Sequence, residues 1–309
     1  MFTAAKGRLA WSAVAVGAVV ALAGCASGDP LDEGTSTDEE GAAAPLVVSS
    51  QAYYSNEIIA EIYSQALEAG GYEVDRQFQI GQREVYLPEL EAGNIDVFPE
   101  YIGSLLQALD PEAAGGTADE VFADLQEALS EGLTALEPAD ASDQNSWTVT
   151  QEFADKYDLT DVASLANVTE PLIVGGNSEL ATRPYGPDAL KSQYGVPIAE
   201  VKSIEDSGGP LTVKALVDND IQLANIYTAD PNIKANSLVA LDDPDGIFFP
   251  DNVVTVVSDK VDAGAQEILD EVNAALSADD LVSLNSESVN DQKSADVIAE
   301  AWLTEKGLI

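Results

Sequence analysis

The chain has 309 residues, with 13 Lys and Arg against 55 Asp and Glu, for a formal net charge of −42. So acidic a surface repels phosphate backbones, which excludes nucleic acid as a partner, and it attracts cations at long range. Histidine is absent and Cys25 is the single cysteine, which removes Ser-His-Asp and Cys-His nucleophiles, and zinc sites built on His or Cys.

Carboxylate-only hydrolysis survives that exclusion, but no spacing singles out a catalytic pair. The acidity itself has two readings, a general acidic surface suited to high salt or the steering of a cationic ligand.

At the start, Lys6 and Arg8 precede an apolar run from Leu9 to Leu22 that closes on Leu22-Ala23-Gly24-Cys25. A basic flank, a short apolar run and small residues predict a secretory signal over 1–24. Small residues ahead of a lone cysteine resemble a bacterial lipoprotein signal, which would leave Cys25 as the lipid-bearing N-terminus. Residues 25–45 are rich in Gly, Ala, Ser, Thr, Asp and Glu and hold no aromatic residue. They predict an acidic flexible tether.

From Leu46 onward strands and helices alternate. Leu46–Ser50 predicts a first strand, and Gln51–Tyr54 is the loop at its end. A helix from about Ser55 carries an apolar stripe of Ile58, Ile59, Ile62, Ala66 and Leu67, and Gly70-Gly71 stops it. Tyr72–Phe78 predicts a second strand, Arg83–Ala92 a helix kinked or delayed by Pro88, and Ile95–Phe98 a strand followed by a turn at Pro99–Tyr101. Further on, Ala118–Leu133 reads as an amphipathic helix and Leu136–Asp143 as a connector. Strands are predicted over 147–150, 171–175, 221–227, 238–242 and 253–258, a short helix end and then a strand within 191–201, and helices over 151–157 and 211–219. Helices over 263–276, 278–289 and 295–306 finish the chain. Alternation of this kind predicts βαβ units and a largely parallel sheet.

The stretch Gly81–Ser104, GQREVYLPELEAGNIDVFPEYIGS, organises the rest. In an open α/β sheet ligands bind beyond the carboxyl ends of the strands, and Tyr101 sits at such an end. Spacing alone leaves Tyr101 as either a half-buried core residue or a site residue. The stretch resembles a segment found in substrate-binding proteins of osmoprotectant ABC importers, the glycine betaine/carnitine/choline-binding family, and the resemblance runs from about Leu46 to the C-terminus. It implies the type II periplasmic-binding-protein fold, an α/β architecture of two lobes with a ligand cleft and two crossing hinge segments near Asn145 and Asn252. Lobe one would take 46–144 plus 252–309, and lobe two 145–251.

The same resemblance implies site residues. The family holds a quaternary ammonium over aromatic faces, in a cage of four tyrosines. Tyr101 and Tyr227 match two of them, whereas Asn145 and Asn252 stand where the other two would be. Tyr53, or a rotated Trp147, could restore part of the lost surface. Ser104 and Arg183 match groups that grip the ligand's carboxylate, and Gln51 replaces a lysine of the first loop. No cofactor, no metal and no catalytic residue is implied. The implied function is capture of a small polar or zwitterionic compatible solute and its delivery to an ABC permease subunit by a lipid-anchored monomer on the extracytoplasmic face. Two other readings stay open at this point, a sensor or adhesion lipoprotein that kept the fold, and a carboxylate-dependent hydrolase.

Overall fold

The computed structural model describes residues 44–309. The expected signal peptide, Cys25 and all but the end of the expected tether lie outside the described residues. Two five-stranded sheets make the architecture, and each has helices packed on it.

The chain opens with β1 (Leu46–Ser49), α1 (Tyr54–Ala69), β2 (Val74–Gln77), α2 (Arg83–Glu91), β3 (Val97–Tyr101), α3 (Ile102–Leu109), α4 (Ala118–Ala128) and β4 (Leu133–Ala135). It then crosses to the second sheet through β5 (Asn145–Thr150), α5 (Gln151–Tyr157), β6 (Leu172–Gly176), α6 (Pro187–Tyr194), β7 (Ile198–Ser203), α7 (Pro210–Val217), β8 (Leu223–Tyr227), α8 (Asn232–Ala235) and β9 (Leu238–Ala240). It returns through β10 (Val253–Ser258) and closes with α9 (Ala263–Ala275), α10 (Ala278–Val289) and α11 (Ala295–Lys306).

The first sheet has the order β2-β1-β3-β10-β4 and the second β7-β6-β8-β5-β9. In each, four strands run the same way and the strand that arrives from the other sheet, β10 or β5, lies between two of them and runs antiparallel to both. The expected largely parallel sheet is therefore corrected to two mixed sheets, because a strand that enters from the opposite lobe meets its neighbours head to tail.

Three more expectations change. Pro99–Tyr101 is not a turn but the second half of β3, paired with β10 through Val253↔Tyr101 and Thr255↔Pro99. Pairing between β1 and β3 is limited to Val48↔Val97, so on that side Pro99 has no ladder partner to deprive of a donor. Leu133, read as the last residue of the Ala118–Leu133 helix, instead opens strand β4 (Leu133–Ala135) on the far edge of the first sheet, and the helix ends at Ala128. Pro88 does not delay α2, which begins at Arg83 and carries the proline inside.

The apolar stripe of α1 is buried as its spacing predicts. Ile58, Ile59, Ile62 and Leu67 share one core with Leu269, Leu281, Leu284, Ile298 and Leu303 of the three C-terminal helices. Tyr86, Phe98, Leu105, Val121 and Val254 fill the other face of the first sheet. Trp147, Val174, Leu190, Leu223 and Phe248 anchor the second. Burying such side chains contributes roughly 1.5–3 kcal/mol each.

The two crossings lie side by side. Ser142 and Asn252 form an antiparallel bridge, the Asp143 N–H donates to the Asp251 carbonyl at 3.2 Å, and the Asn252 amide donates to the Ala139 carbonyl at 2.9 Å. Helix α3 starts directly against them. A side chain at Gly103 would meet the Pro250 carbonyl at 2.5 Å, so only glycine lets that helix approach.

Candidate functional site

A cavity with an empty volume of about 660 Å³, its mouth included, lies between the two sheets at the crossings. Seven residues singled out from the sequence line it: Gln51, Tyr53, Tyr101, Ser104, Asn145, Arg183 and Tyr227. Asn252 does not. Its amide is spent on Ala139 and its carbonyl accepts the Ile102 N–H, so it belongs to the hinge. Trp147 is fully buried in the core of the second sheet rather than rotated into the cavity.

Local structure explains the placement. Tyr101 ends β3 and Tyr227 ends β8, each beside the antiparallel strand of its own sheet. The β5–β8 register sets Asn145 directly opposite Tyr227. Ser104 lies in the first turn of α3, and Gln51 and Tyr53 in the loop between β1 and α1. Arg183 follows a 3-10 turn over Ser178–Thr182.

Four tyrosines reach the cavity: Tyr53, Tyr101, Tyr185 and Tyr227. The rings of Tyr53 and Tyr227 approach across the cleft to 4.8 Å, and Tyr54 packs edge-on against Tyr53 at 4.9 Å. Tyr185 rests on Phe248 at 5.2 Å. Sequence reasoning missed Tyr185, although its position two residues after Arg183 in the same loop was the available signal. The number of rings is thus restored from different positions.

The charged groups fall into two sets. Asp143 and Asp251 sit next to each other on the crossing segments, with side chains facing the cavity. Burial pushes both carboxyls up to about 7, against hydrogen bonds that favour the charged form. Those bonds come from the Ala229 N–H at 2.9 Å and the Tyr53 hydroxyl at 3.1 Å for Asp143, and from the Ser104 N–H at 2.8 Å and the Ser104 hydroxyl for Asp251. The other set is cationic. Arg83 makes two 2.9 Å bonds to the fully buried Glu100, which also accepts from the Tyr86 hydroxyl. Burial works against the Arg83 charge and the Glu100 carboxylate outweighs it. Arg183 pairs with Glu84 of α2 across the cleft, at 2.8 Å. Arg83, Asp143 and Asp251 were not anticipated, because their partners are remote in sequence.

Four buried polar atoms of this cavity have no hydrogen-bond partner: Gln51 Nε2, the Tyr101 hydroxyl, Asn145 Oδ1 and Glu179 Oε2. Buried polar groups are otherwise almost always paired, so these four are free to meet a polar group that enters the cavity. No group of three or more His, Cys, Asp or Glu is placed to hold a metal among the described residues. No helix among them is long and apolar enough to cross a membrane.

Comparisons with known proteins bear on the fold and the family. The chain is 28% identical over 285 residues to the glycine betaine-binding protein YehZ of Escherichia coli K12, covering 86% of this chain and 92% of that one. The structure of apo YehZ from Escherichia coli is similar with a TM-score of 0.63 at 26% identity, over 86% of this chain and all of that one. A crystal structure described as a glycine betaine/carnitine/choline ABC transporter is similar in fold, with a TM-score of 0.70 at 20% identity, over 85% and 99% of the two chains. The family model for the substrate-binding domain of ABC-type glycine betaine transport systems matches residues 44–305, and the chain therefore belongs to that family of solute-binding proteins of ABC importers.

Proposed function

We propose that this protein captures a small cationic or zwitterionic compatible solute of the glycine betaine type in the cavity and presents it to an ABC permease, without chemical turnover. The observation that carries this reading is the convergence of four tyrosine rings from both sheets on one cavity that also holds Arg83 and Arg183. A cation over such faces gains about 0.5–2 kcal/mol per ring, and a guanidinium suits a carboxylate at the other end. The relatives named above for glycine betaine support the class of ligand.

Residues 145–251 act as lobe two and close on lobe one about the paired crossings, so ligand binding is coupled to hinge motion. Arg183–Glu84 and the 3.4 Å contact from Gln82 to Ser207 bridge the lobes. The folded part works as a monomer on the extracytoplasmic face, held by a lipid on Cys25. The test is a thermal-shift screen of the purified protein with glycine betaine, choline, carnitine, proline betaine, ectoine, polyols and sugars. A rise in melting temperature that grows with concentration is expected for a betaine-like member. A response confined to sugars or polyols, or none, refutes the reading.

A further inference from the structure

Asn145 stands beside Tyr227 with its amide orientation set by a relay. The Asp251 carboxylate accepts both the Ser104 N–H and the Ser104 hydroxyl. The Ser104 oxygen, its own proton given to Asp251, then accepts from Asn145 Nδ2 at 3.4 Å. That leaves Asn145 Oδ1 buried and unpartnered at the cavity. Glu179 Oε2 is a second unpartnered acceptor in the same lining.

A fully methylated ammonium has no N–H to offer either atom. Cleft closure on such a head would leave both acceptors dry and unpaired, whereas the tyrosine faces attract any cation regardless of methylation. Discrimination therefore falls to the acceptors. Sites built to hydrogen-bond a ligand group reject analogues that lack it far more strongly than apolar pockets reject a missing methyl.

We propose that Asn145 is a specificity-determining residue whose amide oxygen accepts an N–H from the ligand's cationic head, so that the preferred solute is a partly methylated or unmethylated ammonium rather than a quaternary one. This rests on the reading of the cavity as the solute site.

Calorimetric titration of the full-length protein with two methylation series tests it. One series is glycine, N-methylglycine, N,N-dimethylglycine and glycine betaine. The other is ethanolamine, its N-methyl and N,N-dimethyl forms, and choline. In at least one series an N–H-bearing member should bind about tenfold or more tighter than the quaternary member. Asn145→Leu should reduce that gap to about threefold or less, and Asn145→Asp, which keeps an acceptor, should preserve it. Tightest binding of the quaternary member in both series overturns the inference alone, as does a gap that Asn145→Leu leaves intact. Should Asn145→Leu fail to fold, the wild-type series and Asn145→Asp still decide. Failure of all eight compounds to bind overturns this inference, and the solute-site reading falls with it only where the thermal-shift screen also finds no betaine-like ligand.

Discussion

The two sheets share one strand order and one pattern of directions, yet they contribute differently to the cavity. The first is wrapped by α1 and the three C-terminal helices and brings a buried ion pair, Arg83–Glu100, to the cleft. The second is covered by shorter helices around a Trp147–Phe248–Tyr185 cluster, and it brings an amide, Asn145, opposite the Tyr227 ring. Strand order thus sets where site residues stand. What each does is set by side chains that the strand pattern leaves free to vary.

Charge removal in the first sheet should have the largest effect. Arg83→Met leaves Glu100 buried without its partner, and urea unfolding should show a loss of about 3–5 kcal/mol. A much smaller loss would mean that water reaches Glu100. Trp147→Ala probes the second sheet, with a comparable cost of about 3–5 kcal/mol from the cavity left behind. If the lobes unfold separately, each variant will move only one transition.

Ring removal comes next. Tyr101→Ala and Tyr227→Ala should each weaken the best ligand by about 0.5–2 kcal/mol in calorimetry. Equal losses would mean that both sheets hold the cation, and loss in only one variant would place it on that side.

The acid pair gives a pH test. Asp143 and Asp251 titrate near 7 in the folded protein, above the ordinary carboxylate value of 3.8. A carboxyl raised on folding contributes stability fully below the unfolded value and loses it as pH climbs through the folded value. The melting temperature of the empty protein should therefore fall between about pH 4 and 7, and Asp143→Asn with Asp251→Asn should flatten that fall. A cationic ligand favours the charged carboxylates, so its affinity should rise over the same window.

The smallest effect belongs to Glu84→Gln. The pair with Arg183 is partly exposed, and its loss should cost no more than about 1 kcal/mol and vanish in high salt.

Much of this was legible in the residues. The α1 stripe, the glycines after it and the strand-type runs placed most elements, because local periodicity follows burial. The direction of β5 and β10 was not legible, since it depends on which lobe a strand arrives from. Tyr101 and Tyr227 came from the resemblance of their motifs to the osmoprotectant-binding family, since a ring at a strand end can by itself equally be core, and both line the cavity. Arg83, Asp143 and Asp251 were missed because their meaning comes from neighbours such as Glu100, Tyr53 and Ser104, brought close only by folding. Asn252 was misplaced in the cavity for the same reason, its partner being Ala139 on the opposite crossing.

The staple between Asn252 and Ala139 ties the two connecting threads into a single axle, and both cavity acids ride on it. An axle turns but does not travel, so Asp143 and Asp251 would stay in place while the jaws swing apart. An arriving cation would then meet the same two carboxylates in the open protein as in the shut one, with the Tyr185 and Tyr227 rings of the second sheet arriving afterwards.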